Sequence, residues 1–151
     1  MVNGGVSGDT SSGGLARFDW AVPDEADAII VELGANDALR GINPDVTRAN
    51  LTQIIEKSRA RGLQILLAGM LAPPNLGPTY GKAFAAIFPD LARAYDVALY
   101  PFFLDGVAAQ KTLNLADGIH PNAAGIDIIV SRIGPYAERL VLSVASGEKS
   151  K

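Results

Sequence analysis

The hexapeptide Asp117-Gly118-Ile119-His120-Pro121-Asn122 puts a carboxylate and an imidazole three residues apart, close enough to meet within one turn of chain. An acyl-transfer base is usually a histidine whose second ring nitrogen is held by a carboxylate, so the pair has the parts of such a base. His120 is the only histidine in the chain, which argues against a histidine-rich metal site. The same residues also read as a lone surface or core histidine beside a helix start. A second cluster is Gly34-Ala35-Asn36-Asp37. The amide of Asn36 could offer a donor to a developing oxyanion, or the cluster could be a plain Asn/Asp turn. The third is the glycine-rich run from Asn3 to Gly14 (NGGVSGDTSSGG). Its backbone could approach a ligand closely and present N–H groups to an anion. It carries no lysine in a phosphate-loop pattern, so a nucleotide reading is weak. It also reads as a flexible loop that opens a helix at Thr10 or Ser11.

Residues of this kind need a scaffold. Three apolar runs read as buried parallel strands: residues 28–33 (AIIVEL), 63–70 (LQILLAGM) and 97–103 (VALYPFF). Helical spacing lies between them. Asn43-Pro44 reads as a cap followed by proline at the first helical position. Leu51, Ile54, Ile55 and Ser58 then share one face, and Gly62 suits the stop. Phe84, Ile87, Phe88, Leu91 and Tyr95 mark a second helix, in which Pro89 predicts a kink or a break into two short helices. A last helix starts after Pro121-Asn122 with Ile126, Ile129, Val130 and Ile133 on its face, and Pro135 leaves its end open. Strands alternating with helices predict an α/β fold with a parallel sheet. Sites in such sheets gather at the carboxyl ends of the strands, where Gly34-Ala35-Asn36-Asp37, Pro73-Pro74-Asn75 and residues 117–120 fall.

A chain of 151 residues favours one domain, here residues 1–145, followed by a polar tail at 146–151 that reads as disordered. The net charge of −3 comes with no basic block, so nothing points to nucleic acid or to an anionic membrane surface. The absence of cysteine excludes disulfides and thiolate catalysis. No apolar run is long enough to span a bilayer, and the first eight residues do not read as a signal peptide.

Taken in order, the three clusters resemble the SGNH (GDSL) hydrolase superfamily, in its branch of bacterial multifunctional thioesterases, arylesterases and lysophospholipases. Residues 2–15 (VNGGVSGDTSSGGL) are similar to the second block of that family, with Gly8 at the position of an oxyanion-hole N–H. Residues 31–41 (VELGANDALRG) are similar to the third, with Asn36 as the oxyanion-hole amide. Residues 117–122 (DGIHPN) are similar to the last, with Asp117 and His120 as acid and base of a triad. Residues 73–88 and Tyr100-Pro101-Phe102-Phe103 also resemble this branch. The resemblance implies a three-layer αβα, flavodoxin-like fold and a serine hydrolase of carboxylic esters or thioesters. It implies no metal or organic cofactor, a small acyl substrate, and an acyl pocket bordered by residues 72–80. Members of the branch are often exported or periplasmic.

The family's first block, a strand ending in Gly-Asp-Ser with the nucleophilic serine, has no match here. Gly8-Asp9-Thr10 leaves no room before residue 28 for the helix, strand and helix that should follow a first block. The expectation is therefore a fold without its first strand and most of its second, in which residues 28–33 become an apolar edge that a second copy could cover. The first strand and its serine are expected to be encoded upstream, and a chain read from an internal start is favoured over a true truncation. Hydroxyls that could stand in for the serine are Ser7, Thr10, Ser11 and Ser12. The rival readings are a non-catalytic α/β module that self-associates or binds a partner, and a phosphate or flavin binder using the glycine-rich loop.

Overall fold

A computed structural model of the chain describes residues 1–147. The elements run α1 (Ser11–Ala21), β1 (Ala28–Glu32), α2 (Ala35–Leu39), α3 (Pro44–Ala60), β2 (Gln64–Ala68), α4 (Pro78–Tyr95), β3 (Ala98–Tyr100) and α5 (Ala123–Ser146), with a short 3-10 turn at Pro74–Leu76. Three parallel strands pair in the order β1-β2-β3, with Ala28 opposite Gln64 and Leu66 opposite Ala98. The strands are shorter than the apolar runs that announced them. Beyond β2 the pairing is carried on irregularly, as Gly69 N–H donates to the Tyr100 carbonyl and Phe103 N–H to the Gly69 carbonyl.

The middle strand shows how the layers are built. Ile65, Leu66, Leu67 and Ala68 are all buried, because β2 is covered on both faces. Side chains alternate along a strand. Ile65 and Leu67 join the larger core with Leu51, Ile54 and Ile55 of α3 and Phe84, Ile87 and Phe88 of α4. Leu66 faces the other way, into a smaller core with Tyr100 and Leu140. Thus α3 and α4 cover one face and α5 the other, which makes the three-layer αβα arrangement.

Two points about helices that the sequence left open are settled. Pro89 does not split its helix: α4 is one element from Pro78 to Tyr95. Proline removes one N–H, and the carbonyl that it orphans belongs to Ala85, which is only half-buried; Pro89 itself is exposed, so water can reach the gap. Likewise α5 runs through Pro135 to Ser146 and is capped by Gly147 in the left-handed region. The remaining tail, residues 148–151, lies outside the described residues. The apolar face expected on α5 is also only partly used. Ile129 is buried, whereas Ile126 and Val130 are exposed, as are Val141 and Leu142 further along.

The sheet edge is open as well. The outer side of β1 pairs with no strand among the described residues. Ile30 sits opposite Leu66 in the register, hence on the α5 side, and is 39% exposed. The edge of β1 and the flank of α5 together leave apolar surface uncovered. Among the described residues no helix is long and apolar enough to cross a membrane.

Candidate functional site

The loop that carries the acid–base pair is held from both ends. Asn114 is buried and its amide donates to the carbonyls of Val107 and Gln110. Leu115 N–H donates to the His120 carbonyl, and Asn114 bridges to Pro121. Asn122 caps α5 by accepting from Gly125 N–H, while its amide donates to the Thr112 carbonyl. Within this frame Asp117 folds back on its own turn. Its Oδ1 accepts from the N–H groups of Ile119 and His120, at 2.9 and 3.0 Å, and its Oδ2 lies 2.7 Å from His120 Nδ1.

Those bonds decide the protonation pattern. The bond to the imidazole, followed by the two backbone donors, holds the Asp117 carboxyl at about 2, below its ordinary 3.8. An ionised carboxylate can only accept, so Nδ1 carries the ring proton and donates it to Asp117. Nε2 is then left with a free lone pair, the arrangement a general base needs. The dyad is open to solvent, with the imidazole 66% exposed. Among the described residues no hydroxyl is hydrogen-bonded to His120 Nε2.

The second part of the site lies just past the end of β1. Gly34 turns the chain with φ of +110°, and a Cβ there would stand 3.3 Å from the Phe88 ring and 3.5 Å from Phe84. That turn opens α2, whose second residue is Asn36. Gly8 also has a positive φ, +77°. Asp9 N–H donates to the Val6 carbonyl, so residues 6–9 form a turn with Gly8 at its third position. Arg40 Nη2 donates to the Gly8 carbonyl at 2.8 Å and so brings the Gly8 turn against α2. A cleft of about 90 Å³ between them is lined by Gly5, Val6, Asp9, Arg17 and residues 32–36. The structure therefore brings the Gly8 turn against the helix that carries Asn36, and pairs His120 with Asp117.

The four hydroxyls differ sharply in setting. Ser11 is fully buried; its hydroxyl donates to Asp37 Oδ1 and accepts from the Asn50 amide. Thr10 caps α1 by accepting from Gly13 N–H, and Ser12 accepts from Asn50. Ser7 is exposed. Sequence reasoning did not find the buried cluster beneath them. Asp37 is fully buried and accepts from Ser11 N–H at 2.7 Å and from Thr47 Oγ1 at 3.0 Å. One signal was present: Thr47 falls four residues before Leu51 on the apolar stripe of α3, and a polar residue on such a stripe requires a buried partner.

Comparison with known proteins places the chain in a family. Residues 1–128 match the model of the GDSL-like lipase/acylhydrolase family. The chain is 42% identical over 142 residues to esterase TesA of Pseudomonas aeruginosa, covering 93% of this chain and 71% of that one. It is equally 42% identical to thioesterase 1/protease 1/lysophospholipase L1 of Escherichia coli, covering 93% and 68%. Among solved structures, the psychrotrophic esterase EstA of Pseudoalteromonas superimposes with a TM-score of 0.87 at 32% identity, over 93% of this chain and 77% of that one. A match of this extent, on a three-layer fold around a parallel sheet, shows that the chain belongs to the GDSL-like lipase/acylhydrolase family.

Proposed function

We propose that this chain carries the base and two oxyanion donors of a carboxylic-ester or thioester hydrolase, and that the attacking serine lies outside residues 1–151. The observation that carries the reading is the Asp117–His120 pair, whose ionised carboxylate leaves Nε2 as the basic atom. In the reaction, Nε2 takes the proton of the serine hydroxyl as its oxygen attacks the acyl carbon. Gly8 N–H and the Asn36 amide then donate to the carbonyl oxygen as it becomes an oxyanion. His120 returns the proton to the leaving alcohol or thiol. The names of the relatives, an esterase and a thioesterase/lysophospholipase, support acyl esters and thioesters as the substrate class. Residues 72–80 border the acyl side, and the Tyr80 hydroxyl fixes that segment by donating to the Ile42 carbonyl.

The placing of the serine elsewhere rests on the hydroxyls present. The Ser11 proton is committed to Asp37, and no hydroxyl is hydrogen-bonded to Nε2 among the described residues. The test compares hydrolysis of short p-nitrophenyl esters by these 151 residues, by the same chain preceded by its in-frame upstream sequence, and by the His120→Ala variant of each. The extended protein should turn over substrate and lose about 10⁶-fold without its serine, while the 151-residue chain should not exceed its own His120→Ala variant. Turnover by the 151 residues that disappears in that variant would make Ser7, Thr10 or Ser12 the nucleophile. An inactive extended protein would remove the hydrolase reading. In the active form, Asn36→Ala should lower turnover about 10²–10³-fold with the fold intact.

A second reading concerns association. The uncovered edge of β1, with Ile30 facing the exposed flank of α5, favours pairing with a second copy when these residues stand alone.

A further inference from the structure

We infer that Arg40 is a positioning residue that locks the Gly8 turn to Asn36, so that the two donors act as one preformed anion-binding pair. The inference rests on the oxyanion reading above and adds to it the residue that sets the geometry.

Each donor has an anchor of its own, since Asp37 and Ala38 are buried beside Asn36 and Arg17 ties Asp9 and the Gly4 carbonyl on either side of Gly8, but none of these anchors links one donor to the other. The chain is exposed from Met1 through Gly8, and a Cβ added at Gly8 would meet nothing within 4 Å, so packing does not fix the turn. The helix carrying Asn36 is five residues long, with no side-chain cap at its start. Helices so short do not persist unaided. What joins them is polar. Arg40 N–H donates to the Asn36 carbonyl at 3.1 Å, so Arg40 continues the helix and lies one turn beyond Asn36 on the same side. From there its guanidinium donates to the Gly8 carbonyl. Next to Asn36 on α2, Asp37 accepts from Ser11 N–H and holds the far end of the same loop.

The division of labour follows from exposure. Asp37 and Ser11 are fully buried, so their bond serves the fold as well as the loop. Arg40 is exposed, and an exposed hydrogen bond adds little to stability. Its effect is directional. With the Asp9–Val6 bond closing the turn and Arg40 fixing the Gly8 carbonyl, the remaining freedom of Gly8 is small. Its N–H is then free of the turn's own bond and available to a ligand. Arginine suits the task because its planar fork loses little freedom for each bond it makes.

The test uses the isotopically labelled 151-residue chain with Arg40→Ala and Arg40→Lys variants, and methylphosphonate as a tetrahedral anion. Without ligand, Arg40→Ala should shift the Gly8 carbonyl ¹³C signal and lower the order of the Gly8 amide, with an unchanged thermal midpoint. With ligand, the Gly8 N–H and the Asn36 side-chain amide should follow one isotherm in the unaltered protein. In Arg40→Ala the apparent affinity should fall about tenfold, the factor that roughly 1.4 kcal/mol represents, and the two signals should separate. Arg40→Lys keeps a donor and should restore part of both effects. Unchanged Gly8 signals in unliganded Arg40→Ala would overturn the clamp whatever the fate of the oxyanion reading. A loosened Gly8 with no response to methylphosphonate at Gly8 or Asn36 in the unaltered protein would overturn the oxyanion reading, and the inference with it. A lysine variant that binds fully while its Gly8 is as loose as in Arg40→Ala would show that Arg40 supplies only charge.

Discussion

Replacing Asp37 by alanine strands three buried donors at once. Its carboxyl accepts from Ser11 N–H, from the Ser11 hydroxyl and from Thr47 Oγ1, and all three residues are fully buried. A buried donor left without a partner costs about 1–3 kcal/mol, which summed three times gives about 3–9 kcal/mol. The space left by the carboxyl is polar and large enough for a water, which can serve two of the donors. The lower part of that range therefore applies, about 4 kcal/mol. At roughly 2–4 °C per kcal/mol for a domain of this size, the thermal midpoint should fall on the order of 10 °C. Thr47→Val gives the internal check. It removes one donor, keeps the shape, and strands nothing that Ser11 does not already satisfy, so its cost should be about 1 kcal/mol. Urea unfolding of both variants, with the m-value held as a control on the denatured state, measures the two costs. If Asp37→Ala costs under about 1 kcal/mol, or if Thr47→Val costs as much as Asp37→Ala, the three-donor argument is wrong.

Three further outcomes are expected. The Asp117 carboxyl, followed by ¹³C NMR, should titrate near 2, and in His120→Ala its midpoint should climb toward 3.8. Because the folded value is depressed, the His120–Asp117 contact contributes fully above 3.8 and is lost as pH falls through about 2; a midpoint of 3.8 in the unaltered protein would contradict the bond. Gly34→Val should destabilise the chain by about 2–4 kcal/mol in thermal unfolding, since the positive φ and the Phe84 and Phe88 rings leave no room for a branched side chain; a variant as stable as the parent would refute the strained-turn account. Ile30→Lys, placing a charge on the free edge, should reduce self-association of the 151-residue chain in analytical ultracentrifugation, and an unchanged sedimentation profile would show that β1 is not the contact.

Much of the fold could be read from short-range pattern. The unbroken apolar run around Leu66 announced a strand covered on both faces, and the spacing of Leu51, Ile54, Ile55 and Ser58 announced the buried side of α3. These features are local: a period of 2 or 3.6 and a cap are written in consecutive residues. The Asp117–His120 contact was legible for the same reason, since both partners sit on one turn. Local rules left a kink and a break both open at Pro89, because the cost of a missing N–H depends on whether water reaches the orphaned carbonyl, and that is settled by burial. They also overstated the apolar face of α5, where Ile126 and Val130 stay exposed.

What only the tertiary structure decided is which distant polar groups share a partner. Residue types singled out Asn36 and the family resemblance pointed to Gly8, but neither said how they are held. Arg40 reaches the Gly8 carbonyl across 32 positions, and Asp37 takes up Ser11 across 26. Ser11, a stand-in hydroxyl by its neighbours in sequence, turned out to have its proton engaged inside the molecule. A hydroxyl has the same composition whether it faces solvent or a buried carboxyl, and a hydrogen bond acts over about 3 Å in space without regard to separation along the chain. Periodicity carries the elements, but it carries no record of which loops the folded sheet brings side by side.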